Sequence, residues 1–197
     1  CFSKLTFNKE IMQRIIDSLY SSADLKKKVA DTLSENILEA ANLIKSRIER
    51  GGMLILMGNG GSAADCQHIA AELVGRFKKE RQAMPAIALT VDTSSLTALG
   101  NDYGFETIFE RQVEALAREN DVVVGISTSG NSENVLRALK KANTIGSETI
   151  GLLGNNGGKI KDVANLSIII PSADTARIQE VHITIGHIIC ELIEEDL

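Results

Sequence analysis

Residues 53–76 read MLILMGNGGSAADCQHIAAELVGR, and the change of texture inside this stretch decides the fold. Five apolar residues, Met53 to Met57, run unbroken between Gly51-Gly52 and Gly58. So short a run, with no polar alternation, reads as a strand buried on both faces. A helical pattern over 63–79 follows directly after the glycines. The same unit recurs downstream. PAIAL (85–89), DVVVGI (121–126), ETIGLL (148–153) and LSIII (166–170) read as buried strands, each followed by a polar or Gly-rich turn. Helical stretches are predicted at 106–118, 132–145 and 158–164, and an amphipathic helix over 174–195 closes the chain. Five such alternations predict an α/β protein, a doubly wound five-stranded parallel sheet with helices on both faces. Ligands of such sheets sit outside the carboxyl ends of the strands, where strand order reverses. The turns after the strands are therefore the place to look for chemistry.

Upstream, residues 9–50 carry helical periodicity and no strand signal. Ile11, Ile15, Ile16 and Leu19 form one apolar stripe, and Val29, Leu33, Ile37, Ala40, Ala41, Ile44 and Ile48 another. Ser22 and Asp24 supply a break and a cap between two predicted helices. The segment 1–50 is too short for a domain of its own. It is expected to belong to the same domain as 51–197, packing on the body or on a partner chain.

At 197 residues the chain suits one domain. Its net charge of −5 argues against a nucleic-acid surface, which needs excess Lys and Arg. A phosphorylated small molecule stays compatible, because backbone amides and hydroxyls can hold it. The three cysteines, Cys1, Cys66 and Cys190, form no CxxC pair, which favours a reducing cytoplasm. No apolar stretch is long enough to span a bilayer, and no membrane association is expected. Cys1 is read as the start of a trimmed chain rather than as a lipidated cysteine.

The first turn, GNGGS (58–62), is neither GxGxxG nor a Walker loop, so no nucleotide cofactor is expected. Gly58, Gly60 and Gly61 let the backbone approach a ligand closely. Ser62 starts the next helix, as an N-cap or as part of an anion site at the free amides. Within that helix His68 and Glu72 are spaced i, i+4 and share a face. They read as a solvated surface pair or as an acid/base or metal-binding couple. The second turn, in ISTSGNSENV (126–135), holds Ser127, Thr128, Ser129 and Ser132. One cap needs one hydroxyl, and the surplus points to a neutral phosphate cradle. The last helix carries Gln179, His182 and His187. At about 100° per residue, Gln179 lies roughly 60° from His182 and 80° from His187, and the histidines about 140° apart. Gln179 can share a patch with either, and spacing does not choose between them.

Four stretches in order, GNGGSAADCQHIAAELVGR, TALGNDYGFE, GISTSGNSENV and TARIQEVHITIGH, resemble the sugar-isomerase (SIS) domain family and, within it, the phosphoheptose isomerases. The resemblance covers nearly the whole chain. It implies an aldose–ketose isomerase that converts sedoheptulose 7-phosphate to D-glycero-D-manno-heptose 7-phosphate through an enediol. That is the first step toward nucleotide-activated heptose, a lipopolysaccharide precursor. By the same resemblance Asn59, Gly60, Gly61, Ser62, Asn101, Asp102, Glu72 and Gln179 contact the substrate, and Ser127, Thr128, Ser129 and Ser132 hold its phosphate. His68, Glu72, Gln179 and His187 match zinc-binding positions, and Glu72 with His187 the catalytic pair. The resemblance also implies a homotetramer with active sites at subunit contacts, which the cysteine usage places in the cytoplasm. One departure is Ala176, where some relatives carry Asp before the Arg-Ile-Gln triplet. Two other readings stand beside this one. One is a non-catalytic SIS tetramer binding the replication initiator protein, whose relatives lack the acid and histidines present here. The other is a SIS isomerase for a different sugar phosphate.

Overall fold

The structure, a computed structural model, describes residues 2–195; Cys1 lies outside the described residues. Five strands form one sheet: β1 (Leu54–Gly58), β2 (Ala86–Ala88), β3 (Val122–Ser127), β4 (Glu148–Gly154) and β5 (Leu166–Ile170). All pairings are parallel and the order is β2-β1-β3-β4-β5. Alternate residues of each strand feed two separate cores. Leu54, Leu56, Val122, Val124 and Ile126 pack under α1 (Phe2–Glu49), α2 (Gly61–Val74) and α6 (Thr175–Glu194). Ile55, Met57 and Val123 pack under α4 (Ile108–Leu116) and α5 (Glu133–Ile145). The doubly wound architecture read from the sequence is the one observed.

Four elements differ from expectation. Residues 9–50 are not two helices: α1 runs from Phe2 to Glu49 without a break at Ser22 and Asp24. Asp24 is solvent-exposed and Ser22 half-buried, and polar residues on an open helix face cost only tenths of a kcal/mol each, roughly up to 0.7. From Val29 onward α1 contributes to the core, and Arg177 of α6 donates to the Ser18 carbonyl. Its earlier apolar stripe, with Ile11, Met12, Ile15, Ile16, Leu19 and Tyr20, is exposed. Second, α2 ends at Val74 instead of 79, because the backbone amides of Phe77, Lys78 and Lys79 are taken by the Glu194 carboxylate. Third, the chain between β2 and β3 holds a helix that the sequence reading missed, α3 (Thr93–Tyr103), capped by Asp92 through the Ser95 amide at 3.0 Å. The helix expected at 158–164 is a single 3-10 turn, Ile160–Asp162. Cys66 and Cys190 are buried free thiols whose burial pushes both upward, Cys190 to about 12.

Candidate active site

β1 and β3 are neighbours at the centre of the sheet, and β2 and β4 lie on opposite outer sides of them. The turns that follow β1 and β3 therefore flank the crevice where order reverses. Two amides tie them together: Asn59 Nδ2 donates to Asn134 Oδ1 and Asn134 Nδ2 donates to Asn59 Oδ1, both at 2.9 Å. In the first turn the N-cap of α2 is Gly60, at φ +56°, and not Ser62. Ser62 sits one residue inside the helix and is buried. A Cβ at Gly61 would come within 2.7 Å of the Gln179 amide, so the missing side chain lets α6 lie directly on this turn. Asn59 and Gly60 border a pocket of about 210 Å³ with Thr90, Leu96 and Phe105. Asn101 and Asp102 lie outside that lining, on the exposed end of α3, bonded to each other at 2.8 Å.

The second turn answers the question of surplus hydroxyls. Ser132 is the N-cap residue of α5, yet its side chain makes no capping bond. Its Oγ instead lies 2.9 Å from the Oγ of buried Ser127, with Ser129 Oγ 3.5 Å from the same atom. Ser129 Oγ also accepts from the Asn131 amide at 3.1 Å. Three hydroxyls thus gather at a helix N-terminus without being spent on the helix, an arrangement suited to an anion. Thr128 contributes its carbonyl, which accepts from Asn155 Nδ2 at 3.1 Å. Asn155 and Asn156, in the turn after β4, join Ser129, Asn131 and Ser172 around an open pocket of about 640 Å³. Sequence reasoning missed these asparagines, although NNGGK (155–159) offered the same turn signal as the other two loops.

The third group sits on helices. His68 Nε2 lies 3.1 Å from Glu72 Oε1 and 3.3 Å from His187 Nε2. The three potential ligand atoms all fall within 4.8 Å of one another. This meeting depends on α2 and α6 running side by side in the same direction, with Ile69 seated on Gly186. The structure separates the two histidines of α6. His187 reaches His68, whereas His182 is fully buried and lies 3.0 Å from the Leu153 carbonyl through Nε2. Burial, only partly opposed by that bond, holds His182 down at about 4, so it stays neutral, with Nδ1 unpartnered. Gln179 lies beside Gly61 and is eight residues, about 12 Å of helix rise, before His187. Within one chain it does not join the His68–Glu72–His187 group.

Asp65, one turn before His68 on α2, was also missed. Burial raises its pKa against the pull of His68 and His187, and Oδ2 has no partner. Its i−3 spacing from His68 was the available signal. Two imidazole nitrogens and one carboxylate oxygen this close together suit zinc, and three protein ligands leave a position open to a substrate.

Residues 19–154 match the family model described as the SIS domain. The phosphoheptose isomerase of Aquifex aeolicus is 57% identical over 94% of this chain and 97% of its own. That of Geobacter metallireducens is 55% identical over 96% of this chain and 98% of its own. The chain belongs to the phosphoheptose isomerases of the SIS domain family. The solved structure of the phosphoheptose isomerase from Neisseria gonorrhoeae superposes with a TM-score of 0.89 at 43% identity, covering 93% of this chain and 98% of that one. The SIS match stops at Gly154, before α6. The Geobacter phosphoheptose isomerase match is too long to stop short of His187. The likeness therefore includes both helices that carry the cluster.

Proposed function

We propose that the chain interconverts sedoheptulose 7-phosphate and D-glycero-D-manno-heptose 7-phosphate, with the serine turn gripping the phosphate and the two helices moving the proton. The observation that carries the reading is the convergence of His68, Glu72 and His187 across α2 and α6, in a chain that also gathers three serine hydroxyls at the N-terminus of α5. The replication-initiator and other-sugar readings have no comparable support. In this reading Ser127, Thr128, Ser129 and Ser132 hold the phosphate, while Asn59, Gly60, Gly61, Ser62, Asn101, Asp102 and Gln179 contact the sugar. The Glu72 carboxylate takes a proton from the carbon beside the carbonyl and returns it to the neighbouring carbon. His187 donates a proton to the carbonyl oxygen and takes one back from the hydroxyl, so the enediol forms and collapses with no net change in the protein. Such paired acid and base groups typically contribute about 10²- to 10⁴-fold each.

His68, Glu72 and His187 would hold zinc, with Gln179 as a fourth ligand by family likeness. Zinc supplies Lewis-acid polarisation of substrate oxygens when bound. A carboxylate engaged by a metal is a weaker base, so the two roles of Glu72 compete and must be separated by measurement. The reading extends to a single domain that includes α1, in a cytoplasmic homotetramer supplying a lipopolysaccharide precursor. Support for the assembly comes from the exposed stripe on α1 and from the distance between Gln179 and the cluster, which a neighbouring subunit can span. Among the described residues no helix is long and apolar enough to cross a membrane.

The test is turnover of sedoheptulose 7-phosphate in deuterium oxide, with and without chelator, on protein whose mass in solution has been measured by light scattering. Solvent deuterium at C2 of the product supports proton transfer through the carboxylate. Unimpaired turnover after complete metal removal would leave Glu72 as base and discard zinc, and no turnover under any condition would discard the isomerase.

A further inference from the structure

The strap that joins α2 to β2, residues 75–85, has no helix or strand of its own and is held from outside by one buried ion pair. Glu194, 1% exposed near the end of α6, accepts from the backbone amides of Phe77, Lys78 and Lys79 at 2.8, 2.9 and 3.1 Å. It also accepts from Arg81 Nε at 2.8 Å. Arg81 reaches back with its other nitrogens to the carbonyls of Leu73 at 2.8 Å and Glu72 at 2.9 Å. The main chain of Glu72 and the end of α6 are thus joined through one guanidinium. The same clamp delivers Phe77 onto His187. Their rings stack at 5.4 Å between centroids and 14° between planes, while His68 meets His187 edge-on at 4.9 Å and 74°. One face of the imidazole is covered and another side is braced.

We infer that Phe77 is a positioning residue for His187, and that Arg81–Glu194 is the brace that sets Phe77 and the Glu72 turn against α6. The χ2 torsion of histidine is broad and roughly two-fold, so an unsupported ring samples a wide range of planes. Proton transfer tolerates only about 10–20° of misorientation. A flat partner 14° from coplanar removes that freedom, which an aliphatic side chain of similar bulk does not. Phe77 also packs against the apolar core, so a purely structural role is the alternative to be tested. The inference rests on the reading of His187 as proton donor, and the experiment keeps the two apart.

The experiment compares wild type, Phe77→Leu, Phe77→Tyr and Arg81→Lys, with His187→Gln as reference. It follows steady-state turnover of sedoheptulose 7-phosphate and the His187 Hε1 resonance in ¹³C-histidine-labelled protein, assigned by its loss in His187→Gln. Phe77→Leu is expected to move the resonance downfield as the ring current disappears. It should lower kcat by about 10- to 100-fold with KM within about two-fold. Phe77→Tyr, which restores a stacking plane, should recover both. Arg81→Lys keeps the charge and loses the fork, and should shift the resonance as Phe77→Leu does. Normal kcat in Phe77→Leu, failure of Phe77→Tyr to rescue a folded enzyme, or an unmoved resonance in Phe77→Leu each overturns the inference. Normal turnover in His187→Gln instead removes His187 from the chemistry. The resonance then decides whether Phe77 still orients the ring.

Discussion

The two ends of the candidate site are built in opposite ways. At the phosphate end, Ser127, Ser129 and Ser132 lie within six residues, and one strand-to-helix turn brings their hydroxyls together. At the carboxylate–imidazole end, His68 and His187 are 119 residues apart and meet only because α2 and α6 pack side by side, with Gln179 against Gly61 and Ile69 against Gly186. The first end is local, neutral and made of hydroxyls and backbone; the second is long-range, ionisable and made of long side chains. Local geometry survives most distant changes, whereas a meeting of two helices depends on every contact that sets their register. Binding and proton transfer should therefore fail separately under substitution.

The sharpest break is Glu72→Gln. Turnover should fall about 10²- to 10⁴-fold, with melting temperature and affinity for the sugar phosphate unchanged; an accompanying loss of affinity would show that the ends are not separate. Acid comes next, through His182, buried on α6 against the Leu153 carbonyl. Its folded pKa of about 4 is below the ordinary 6.5, so the unfolded chain binds more protons between those values. Stability should be full above pH 6.5, decline as pH drops, and level off below 4, by up to about 3 kcal/mol. Denaturant titration of His182→Gln checks it, since that variant should lose this slope. Ser129→Ala combined with Ser132→Ala should raise KM by about 10- to 100-fold, as expected for lost hydrogen bonds to a charged group, with kcat nearly intact. A pure loss of kcat would contradict the phosphate assignment. The last break is at Gly130, whose φ is +67° and where a Cβ would run into the Gly157 backbone carbonyl. Gly130→Ala should cost about 1–3 kcal/mol of stability and raise KM without touching the helix end.

The contrast between the ends also explains what the sequence made legible. Apolar runs and glycine turns announced the sheet, because a buried parallel strand leaves no room for polar residues. The serine turn was readable for the same local reason. α3 was missed because its apolar content is thin; its plainest signal is the Asp92 cap. The end of α2 was placed too late because the residues that stop it, Glu194 and Arg81, act across the fold. Likewise, helical angles left His182 and His187 equivalent as partners of Gln179. Only packing showed one turned to the β4 carbonyl and the other to His68.

The reciprocal amide pair between Asn59 and Asn134 has a consequence for how the molecule ages. Asn59 precedes Gly60, a dipeptide whose side-chain amide is prone to hydrolysis because glycine leaves the attacking backbone nitrogen unshielded. Conversion to aspartate would set an acceptor against Asn134 Oδ1 and place a negative charge at the mouth of the crevice. Both amide groups are occupied in the intact pair, which ties up the vulnerable side chain. Asn134→Ala should therefore shorten the shelf life of Asn59, seen by peptide mass mapping of stored protein. Substrate affinity should fade before the fold does.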